Sequence, residues 1–412
     1  MPHKKCAYEE ALESRKSRVG MRCMNTYYEL TEFMETLQIV STHSHYLPDA
    51  EFENGYGLPF LLNNSYCRAE WCGVKMRDGE FLESDYFDVL RHRNFFIWFE
   101  KSLQKIYNLQ VPLSRETFGL YDQTMKEYSK EPGHHFKILN QYSKYDRIIL
   151  DANWDPGTNN GHPELFSSSF RIDSFLVGPG AEEKTYDGHN CRELYGIGYE
   201  DFDIFFMRLR NLVEEKIRSG AVALKCAIAY ERGLDFEPVS EQRARIAFEK
   251  GKRESEMHEK KIFQDYVFSY ICQLAAELDI PVQVHTGLAR LYRTNALQLR
   301  TMIMSYPDTR FVLFHGSYPW MEDVLGLAES SLGNVYPDLA WLPLISTEAA
   351  TRFLSELLEV ANPHTICWGD DTWTSEESFG ALLAARHTLA TVLADKVRKG
   401  YYTMADAREI AE

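Results

Sequence analysis

The chain has 412 residues, with 45 lysines and arginines against 61 aspartates and glutamates, which gives a formal net charge of −16. Hydrophobic residues make up 44% of the sequence and charged residues 26%, a globular composition that excludes extensive disorder. The acidic balance argues against nucleic acid or an anionic membrane as the main partner, because both attract clustered Lys and Arg.

Neither end of the chain nor its interior predicts a membrane segment. No stretch reaches about 18 uninterrupted apolar residues, the length that a membrane helix needs. Residues 1–16 lack the apolar core of a secretory signal. The eight cysteines are scattered and form no CxxC pair. That usage is typical of reduced thiols, so we predict a cytoplasmic protein.

Short apolar or β-branched runs recur along the chain, and each ends in a polar residue. A helix is predicted over residues 25–36, and it leads into the first run. The predicted strands are 37–45, 147–152, 170–176, 221–228, 281–285, 310–315, 335–339 and 365–369. Amphipathic segments between them predict helices at 200–218, 260–279, 320–330 and 347–360. Strands that alternate with helices favour a parallel sheet.

Eight strands of this kind favour a closed (β/α)8 TIM barrel, an α/β fold formed as one domain by residues 1–412. A Rossmann-type sheet is the alternative, but no glycine-rich phosphate-binding motif follows any strand. The long stretch after the first strand looks mostly helical, so we predict a helical insertion or cap at 50–146. A Gly-rich polar segment at about 177–200 predicts a loop over the mouth of the barrel.

Four of the thirteen histidines stand at predicted strand ends. His43 and His45 are two residues apart, so the two-residue repeat of a strand puts both on one face. His285 and His315 each close an apolar run, and Asp371 follows the last run. Any one of them alone would more often be a buried core residue or a helix cap. A barrel brings all five to the end where its catalytic groups lie, and imidazole and carboxylate ligands suit Zn²⁺. We therefore predict a metal site.

This pattern resembles the amidohydrolase superfamily of metal-dependent barrels. The shared features are HxH after the first strand, His after the fifth and sixth strands, and Asp after the eighth. Residues 265–373 look like the amidohydrolase-related (type 2) branch, through the motifs LAAELDIPVQVHTGL, YPDTRFVLFHGSYPW, NVYPDLAWLPL and ICWGDDTW. The long helical segment after HxH is also similar to uronate isomerases. The branch includes hydrolases, hydratases and decarboxylases, so the motifs identify the superfamily better than the reaction.

The resemblance assigns roles to the residues at the strand ends. The implied ligands of a divalent metal, Zn²⁺ with Mn²⁺ as the alternative, are His43, His45 and His285. Asp371 would be a further ligand and the proton acceptor. His315 would help to bind the metal, or orient the activated water and polarise the substrate carbonyl. Asp371 is preferred to its neighbour Asp370 because the Gly-x-Asp turn of the family aligns there.

Lys225, at the end of the fourth strand, has two interpretations. In binuclear members a carboxylated lysine at this place bridges two metals, whereas mononuclear members have no metal ligand on this strand. We favour a mononuclear site, with Lys225 binding a substrate carboxylate as a point charge. Arg232 could clamp a carboxylate or form only a surface ion pair. Asp338 could support a ligand histidine or be a buried hydrogen-bond partner. The remaining candidates for substrate binding are Tyr230, Trp320, Trp341 and Trp373, although the tryptophans could instead only pack the helices.

The resemblance implies a hydrolase that uses a metal-activated water on a small substrate with a carbonyl group, such as an amide, ester or lactone. A uronate isomerase-like aldose–ketose isomerase and a metal-dependent decarboxylase use the same ligands and are the enzyme alternatives. A ligand-binding barrel that has lost catalysis is the non-enzyme alternative, yet all five strand-end positions carry competent side chains. We expect a small-molecule substrate, no nucleic acid and no membrane as partners, and the sequence leaves a homo-oligomer open.

Overall fold

Seven strands form one parallel sheet in chain order. The computed structural model describes residues 25–75, 81–82, 85–179, 183–251, 257–331 and 333–412. The strands are β1 (Ile39–Ser44), β2 (Tyr145–Leu150), β3 (Phe166–Arg171), β4 (Ala221–Cys226), β5 (Val282–Val284), β6 (Phe311–Leu313) and β7 (Val335–Pro337). Each strand pairs in parallel with the next one along the chain.

Residues 366–372, called here the closing segment, occupy the place of an eighth strand. On one side the Cys367 amide donates to the carbonyl of Pro337, at the end of β7, at 2.8 Å. On the other side the amide of Thr42, in β1, donates to the carbonyl of Trp368 at 3.1 Å. The sheet is therefore closed on itself, and the predicted (β/α)8 barrel is confirmed.

Helices fill the connections between the strands. Helix α1 comprises residues 25–34, close to the predicted 25–36. The connection from β1 to β2 contains α2 (Leu58–Asn63), α3 (Tyr86–Leu90), α4 (Asn94–Tyr107), α5 (Phe118–Tyr128) and α6 (His134–Lys137). Between β3 and β5 lie α7 (Cys191–Tyr195), α8 (Phe202–Arg218), α9 (Glu241–Gly251) and α10 (Met257–Glu277). The later helices are α11 (Arg300–Ser305), α12 (Met321–Ser330), α13 (Leu342–Ile345), α14 (Thr347–Val360), α15 (Ser375–Lys399) and α16 (Met404–Ala411).

The amphipathic segments predicted from the sequence are the helices α8, α10, α12 and α14, and α8 shows how they form. Its N-cap Asp201 accepts a hydrogen bond from the Ile204 amide at 2.9 Å, which satisfies one of the free donors of the first turn. Phe202, Phe205 and Leu209 recur at helical spacing and are buried. Burying side chains of this size stabilises the fold by about 1.5–3 kcal/mol each. Among the described residues, no helix is long and apolar enough to cross a membrane.

The third strand was predicted too far along the chain. The structure forms β3 from Phe166–Arg171, and residues 173–175 are a 3₁₀ turn rather than strand. The serines of the sequence FSSSFR hid the strand, because a Ser-rich run lacks the apolar alternation that marks strands. Ser168 and Ser169 are nevertheless buried, and because successive strand residues point to opposite faces, β3 is covered on both sides.

Asp370 links β1 to the closing segment through its side chain. The carboxylate is fully buried and accepts hydrogen bonds from the hydroxyl groups of Ser41, Ser44 (2.9 Å) and Thr372 (2.6 Å). Three buried hydroxyls share this acceptor, and although Ser41 and Ser44 also reach the carbonyls of His43 and Thr372, loss of the carboxylate removes a charged partner from all three. The link is therefore structural, and it holds the last seam of the barrel together.

We expect Asp370→Ala to lower the free energy of unfolding by about 2–4 kcal/mol, because buried hydroxyls lose their acceptor. Urea unfolding followed by circular dichroism measures this change. Asp308→Ala, at an exposed aspartate, is the matched control and should leave the midpoint unchanged. Equal midpoints for the two variants would contradict the structural role.

Candidate metal centre

Side chains from the strand ends meet inside the mouth of the barrel. Oδ1 of Asp371 lies 3.2 Å from Nε2 of His43 and 3.2 Å from Nε2 of His45. Oδ2 of Asp371 lies 3.7 Å from Nδ1 of His315, and Nε2 of His315 lies 3.0 Å from Nδ1 of His285. The structure thus brings the four predicted histidines and Asp371 into one cluster. Its most accessible side chain is that of His45, which is 15% exposed.

Backbone pairing between β1 and the closing segment sets the position of Asp371. The Asp371 amide donates to the carbonyl of His43 at 2.9 Å. Gly369 makes this approach feasible, because a Cβ atom there would lie 2.6 Å from the backbone nitrogen of His43. Any side chain at position 369 would therefore push the closing segment away from the histidines.

Three residues of the site have left-handed backbone conformations, with φ values of 67° at His315, 63° at Trp341 and 56° at Asp371. Residues other than glycine rarely adopt this conformation. Each such residue costs on the order of 1 kcal/mol or more and persists where the surroundings impose it, often at functional sites. The three strained residues lie after β6, after β7 and within the closing segment, which are successive segments of the barrel.

Backbone carbonyl groups determine which ring nitrogens carry a proton. A carbonyl only accepts hydrogen bonds, so the nitrogen that faces it carries the N–H, and the second nitrogen of a neutral ring then carries a lone pair. The contacts are His45 Nδ1 to Asp151 O at 2.7 Å, His285 Nε2 to Leu288 O at 2.7 Å, and His315 Nδ1 to Ala340 O at 2.9 Å.

The remaining ring nitrogens point toward one another and toward a carboxylate. Nδ1 of His285 faces Nε2 of His315 at 3.0 Å, and Nε2 of His45 faces Asp371. Lone pairs in this arrangement repel each other unless a proton or a cation lies among them. Histidines anchored by carbonyls on one nitrogen are typical metal ligands through the other. The donor set therefore fits a divalent ion.

The charges of the cluster are consistent with the binding of a divalent ion. Burial lowers the pKa of His43 to about 3 and that of His315 to about 4, so both rings are neutral at pH 7. Burial acts in the same direction on His45, but the hydrogen bond and charge of Asp371 outweigh it and raise the pKa. Although burial opposes ionisation, the histidines hold the pKa of Asp371 well below its usual range. A divalent ion bound by these groups would compensate the charge of the Asp371 carboxylate.

Asp151 is a site residue that sequence reasoning missed, although it directly follows β2 as the other site residues follow their strands. His43, His45 and Asp151 can offer three ligand atoms within 4.8 Å of one another. The Asp151 carboxylate, however, already accepts hydrogen bonds from Arg171 at 2.8 and 3.2 Å. Asp371, with histidine nitrogens around it, is therefore the better candidate for the metal ligand.

Lys225 lies within the cluster rather than out in the mouth. Its Nζ atom is 3.3 Å from Nε2 of His43, 4.0 Å from Oδ2 of Asp151 and 3.9 Å from the ring centre of Phe314. Burial lowers the pKa of Lys225 to about 8. This position differs from the predicted contact with a substrate carboxylate, because the β4 side chain is enclosed by site residues.

Three of the predicted substrate-binding rings lie against the histidines. The ring centres are 4.7 Å apart for Tyr230 and His285, 5.4 Å for Trp341 and His315, and 5.5 Å for Trp373 and His45. Tyr66, which no motif marked, joins them from the connection between β1 and β2. Its ring centre is 4.8 Å from that of Trp341 and 5.0 Å from that of Trp373.

Two other predicted residues are not brought to the cluster. The guanidinium of Arg232 bonds to Asp265 at 3.1 Å and to Gln264 at 2.9 Å, and it stacks over the ring of Phe236. It forms an ion pair, as in the alternative, but with a buried carboxylate on α10 rather than at the surface. Trp320 is half-buried at the N-cap of α12, where its backbone bonds to Ser317 and Asp323.

Asp338 combines both of its predicted roles. It accepts hydrogen bonds from the Thr42 hydroxyl at 2.6 Å and from the Ala340 amide at 2.7 Å. Ala340 in turn provides the carbonyl group that accepts from His315. Asp338 is thus a buried hydrogen-bond partner that also supports a site histidine through the backbone.

Part of the chain resembles a known protein family. Residues 240–404 match the sequence profile of the amidohydrolase family. The chain is 29% identical over 229 residues to protein fluG of Emericella nidulans, a match that covers 51% of this chain and 26% of that protein. The chain thus spans about a quarter of the length of the curated relative it matches.

Solved structures share the fold across nearly the whole chain. A uronate isomerase from Thermotoga maritima has a TM-score of 0.76 at 18% identity, covering 94% of each chain. A Lactobacillus casei protein described as a metal-dependent hydrolase has a TM-score of 0.64 at 18% identity, covering 93% of this chain and 94% of that one. The predicted resemblance to amidohydrolase-related barrels and uronate isomerases is confirmed. It supports an enzyme of this superfamily with a divalent metal, and it leaves the reaction unspecified.

We expect the protein supplied with zinc to hold about one ion per chain, and His45→Ala to retain less than about a tenth of that amount, because the loss of one ligand removes most of the affinity. Elemental analysis of the dialysed protein measures the content. His364→Ala, at an exposed histidine, is the control and should bind normally. Unchanged metal in His45→Ala would refute the site, and two ions with a carboxylated Lys225 would refute the mononuclear interpretation.

Proposed function

We propose that the protein is a metal-dependent hydrolase of small substrates with an amide, ester or lactone carbonyl. The observation that carries the proposal is the position of Asp371, whose Oδ1 atom lies 3.2 Å from a nitrogen of both His43 and His45. A carboxylate among histidines is suited to holding a metal and to accepting a proton, and His45, His285 and His315 each turn their other ring nitrogen to a carbonyl. Asp371, His43, His45 and His285 would hold the ion.

A divalent ion in this cluster would supply Lewis acidity and lower the pKa of a bound water. Asp371, ionised at neutral pH, accepts the proton of the attacking water and returns it to the leaving group. His315 orients the attacking water by accepting its hydrogen bond through Nε2, because the neutral ring has its only N–H bonded to the Ala340 carbonyl and none free to polarise a substrate carbonyl. The Ala340 carbonyl keeps the His315 ring in the orientation that this role requires.

A uronate isomerase-like reaction is the second candidate, favoured by the TM-score of 0.76 over 94% of both chains. There Asp371 would move a proton between adjacent carbons of an open-chain sugar acid. Such a substrate carries a carboxylate that needs a cationic partner. Of the two residues predicted to bind a carboxylate, Arg232 is paired with Asp265, and Lys225 is buried within the cluster. This pairing makes hydrolysis the better supported reaction.

We expect the zinc-loaded protein to turn over at least one member of a panel of amides, esters and lactones, and to leave glucuronate and galacturonate unchanged. Asp371→Asn should reduce kcat by about 10²–10⁴-fold, because general acid–base catalysis contributes on this scale. Product formation is followed by chromatography, and circular dichroism verifies the fold of the variant.

Asp308→Asn, at an exposed aspartate, is the matched control and should keep full activity. Turnover of uronates alone would contradict the hydrolase proposal and establish the isomerase. A kcat for Asp371→Asn within twofold of the parent protein would contradict the role of Asp371 in either reaction.

A further inference from the structure

We propose that the mouth of the barrel selects uncharged substrates that carry a planar aromatic ring next to the reacting carbonyl. The inference rests on the proposed function for the carbonyl and goes further by naming the group attached to it. It comes from two aromatic walls, one in contact with His45 and the other with His285, and from the pairing of the buried cations around the cluster.

The first wall is built on Trp373, which follows Asp371 in the chain. Its ring stacks on His45 at 5.5 Å with an angle of 18° between the planes. Tyr66 meets Trp373 edge-on at 5.0 Å, and Trp71 lies against it at 5.3 Å. The wall therefore starts at the most accessible side chain of the cluster and extends outward along indole and phenol faces.

Trp71 gives the first wall its open surface. Its side chain remains 52% exposed, although burying a tryptophan stabilises a protein more than burying almost any other residue. Arg68 lies 4.8 Å above the ring, and Trp373 lies beside it, so the indole is held in place while still in contact with solvent. A fixed, half-exposed indole next to a candidate metal ligand is suited to stacking against a flat ligand.

The second wall consists of Tyr230 and Tyr186. Tyr230 packs on His285 at 4.7 Å, and Tyr186 stacks on Tyr230 at 5.3 Å while remaining 75% exposed. Both Tyr230 and Tyr66 lie near Asp371: burial and then the Asp371 charge raise the pKa of each phenol. The two walls thus face the same carboxylate, and a ring placed between them would hold its substituent near Asp371.

Among the described residues, the buried cations around the mouth are already paired or enclosed. Arg171 bonds to Asp151 and Asp187, Arg232 bonds to Asp265, and Lys225 is enclosed by the cluster. A charged substrate would have to break a buried pair to reach Arg171 or Arg232, and the more exposed Arg68 stacks on Trp71 and bonds to the carbonyl of Asn63. An aromatic ring needs no such partner, so the mouth favours uncharged aryl substrates over sugar acids.

Two ketones test this inference without any chemical turnover. Acetophenone and cyclohexyl methyl ketone share a neutral carbonyl group and a six-membered ring, but only acetophenone is planar, and neither has a leaving group for hydrolysis. We expect the zinc-loaded protein to bind acetophenone about three- to tenfold more tightly, the range that aromatic stacking adds to burial. Titrations followed by ligand-observed NMR give both dissociation constants.

Trp71→Ala should reduce the preference for the planar ketone to less than about twofold, because the exposed face of the first wall is lost. Tyr401→Ala removes an aromatic side chain that is 63% exposed beyond the far end of α15, and it should keep the full preference. Equal affinity for the two ketones, no binding of either, or tighter binding of glucuronate than of acetophenone would overturn the inference.

The ketone titrations are independent of the reaction. If no amide, ester or lactone is hydrolysed while acetophenone is still preferred, the hydrolase proposal fails and the aromatic selectivity stands. If aliphatic amides are hydrolysed as well as aryl amides and the ketones bind equally, the selectivity fails and the hydrolase proposal stands.

Discussion

The pairing of β1 with the closing segment determines how every group of the site is placed. The amide of Thr42 binds the carbonyl of Trp368, and the amide of Asp371 binds the carbonyl of His43. Asp370 turns to the buried serines of β1, while Asp371 turns to the histidines. A shift of one residue in the register would exchange these two aspartates. The register of the closing segment thus gives Asp370 its structural position and places Asp371 at the candidate metal site.

The barrel also determines the protonation of the histidines. His45, at the end of β1, is anchored by the carbonyl of Asp151, which follows the neighbouring strand β2. His315, after β6, is anchored by Ala340, which follows β7. For these two histidines the acceptor follows a neighbouring strand, so the order of strands decides which nitrogens face the centre, whereas His285 is anchored by Leu288 in its own loop. Imidazole lone pairs are directed inward without any additional ionisable residue.

The sequence allowed the fold and most of the cluster to be predicted, because both depend on local patterns. Apolar runs mark strands, and the residue after each run lies at the mouth of a barrel whatever the surrounding loops do. The same rule applied to the second run would have found Asp151. The third strand was misplaced because its serines carry no apolar signal.

Other residues could not be predicted because their positions depend on tertiary contacts. Arg232 follows a strand as the prediction requires, but a buried carboxylate on α10 draws it away from the mouth. Tyr66 reaches the cluster from a segment whose sequence has no motif. Its amide donates to Glu377 at 2.6 Å, a contact across more than 300 residues of chain that no local pattern encodes.

Residues 371–377 connect the candidate metal site with the first aromatic wall. Asp371 and Trp373 are followed directly by the first turn of α15, where Glu376 accepts hydrogen bonds from Tyr56 at 2.9 Å and Tyr107 at 2.6 Å. Glu377 holds the backbone of the aromatic wall. These hydrogen bonds tie the first turn of α15 to the connection between β1 and β2. Because Tyr66 and Trp71 lie in that connection and the strand ends carry the ligands, these rings can change during evolution while the metal chemistry stays the same.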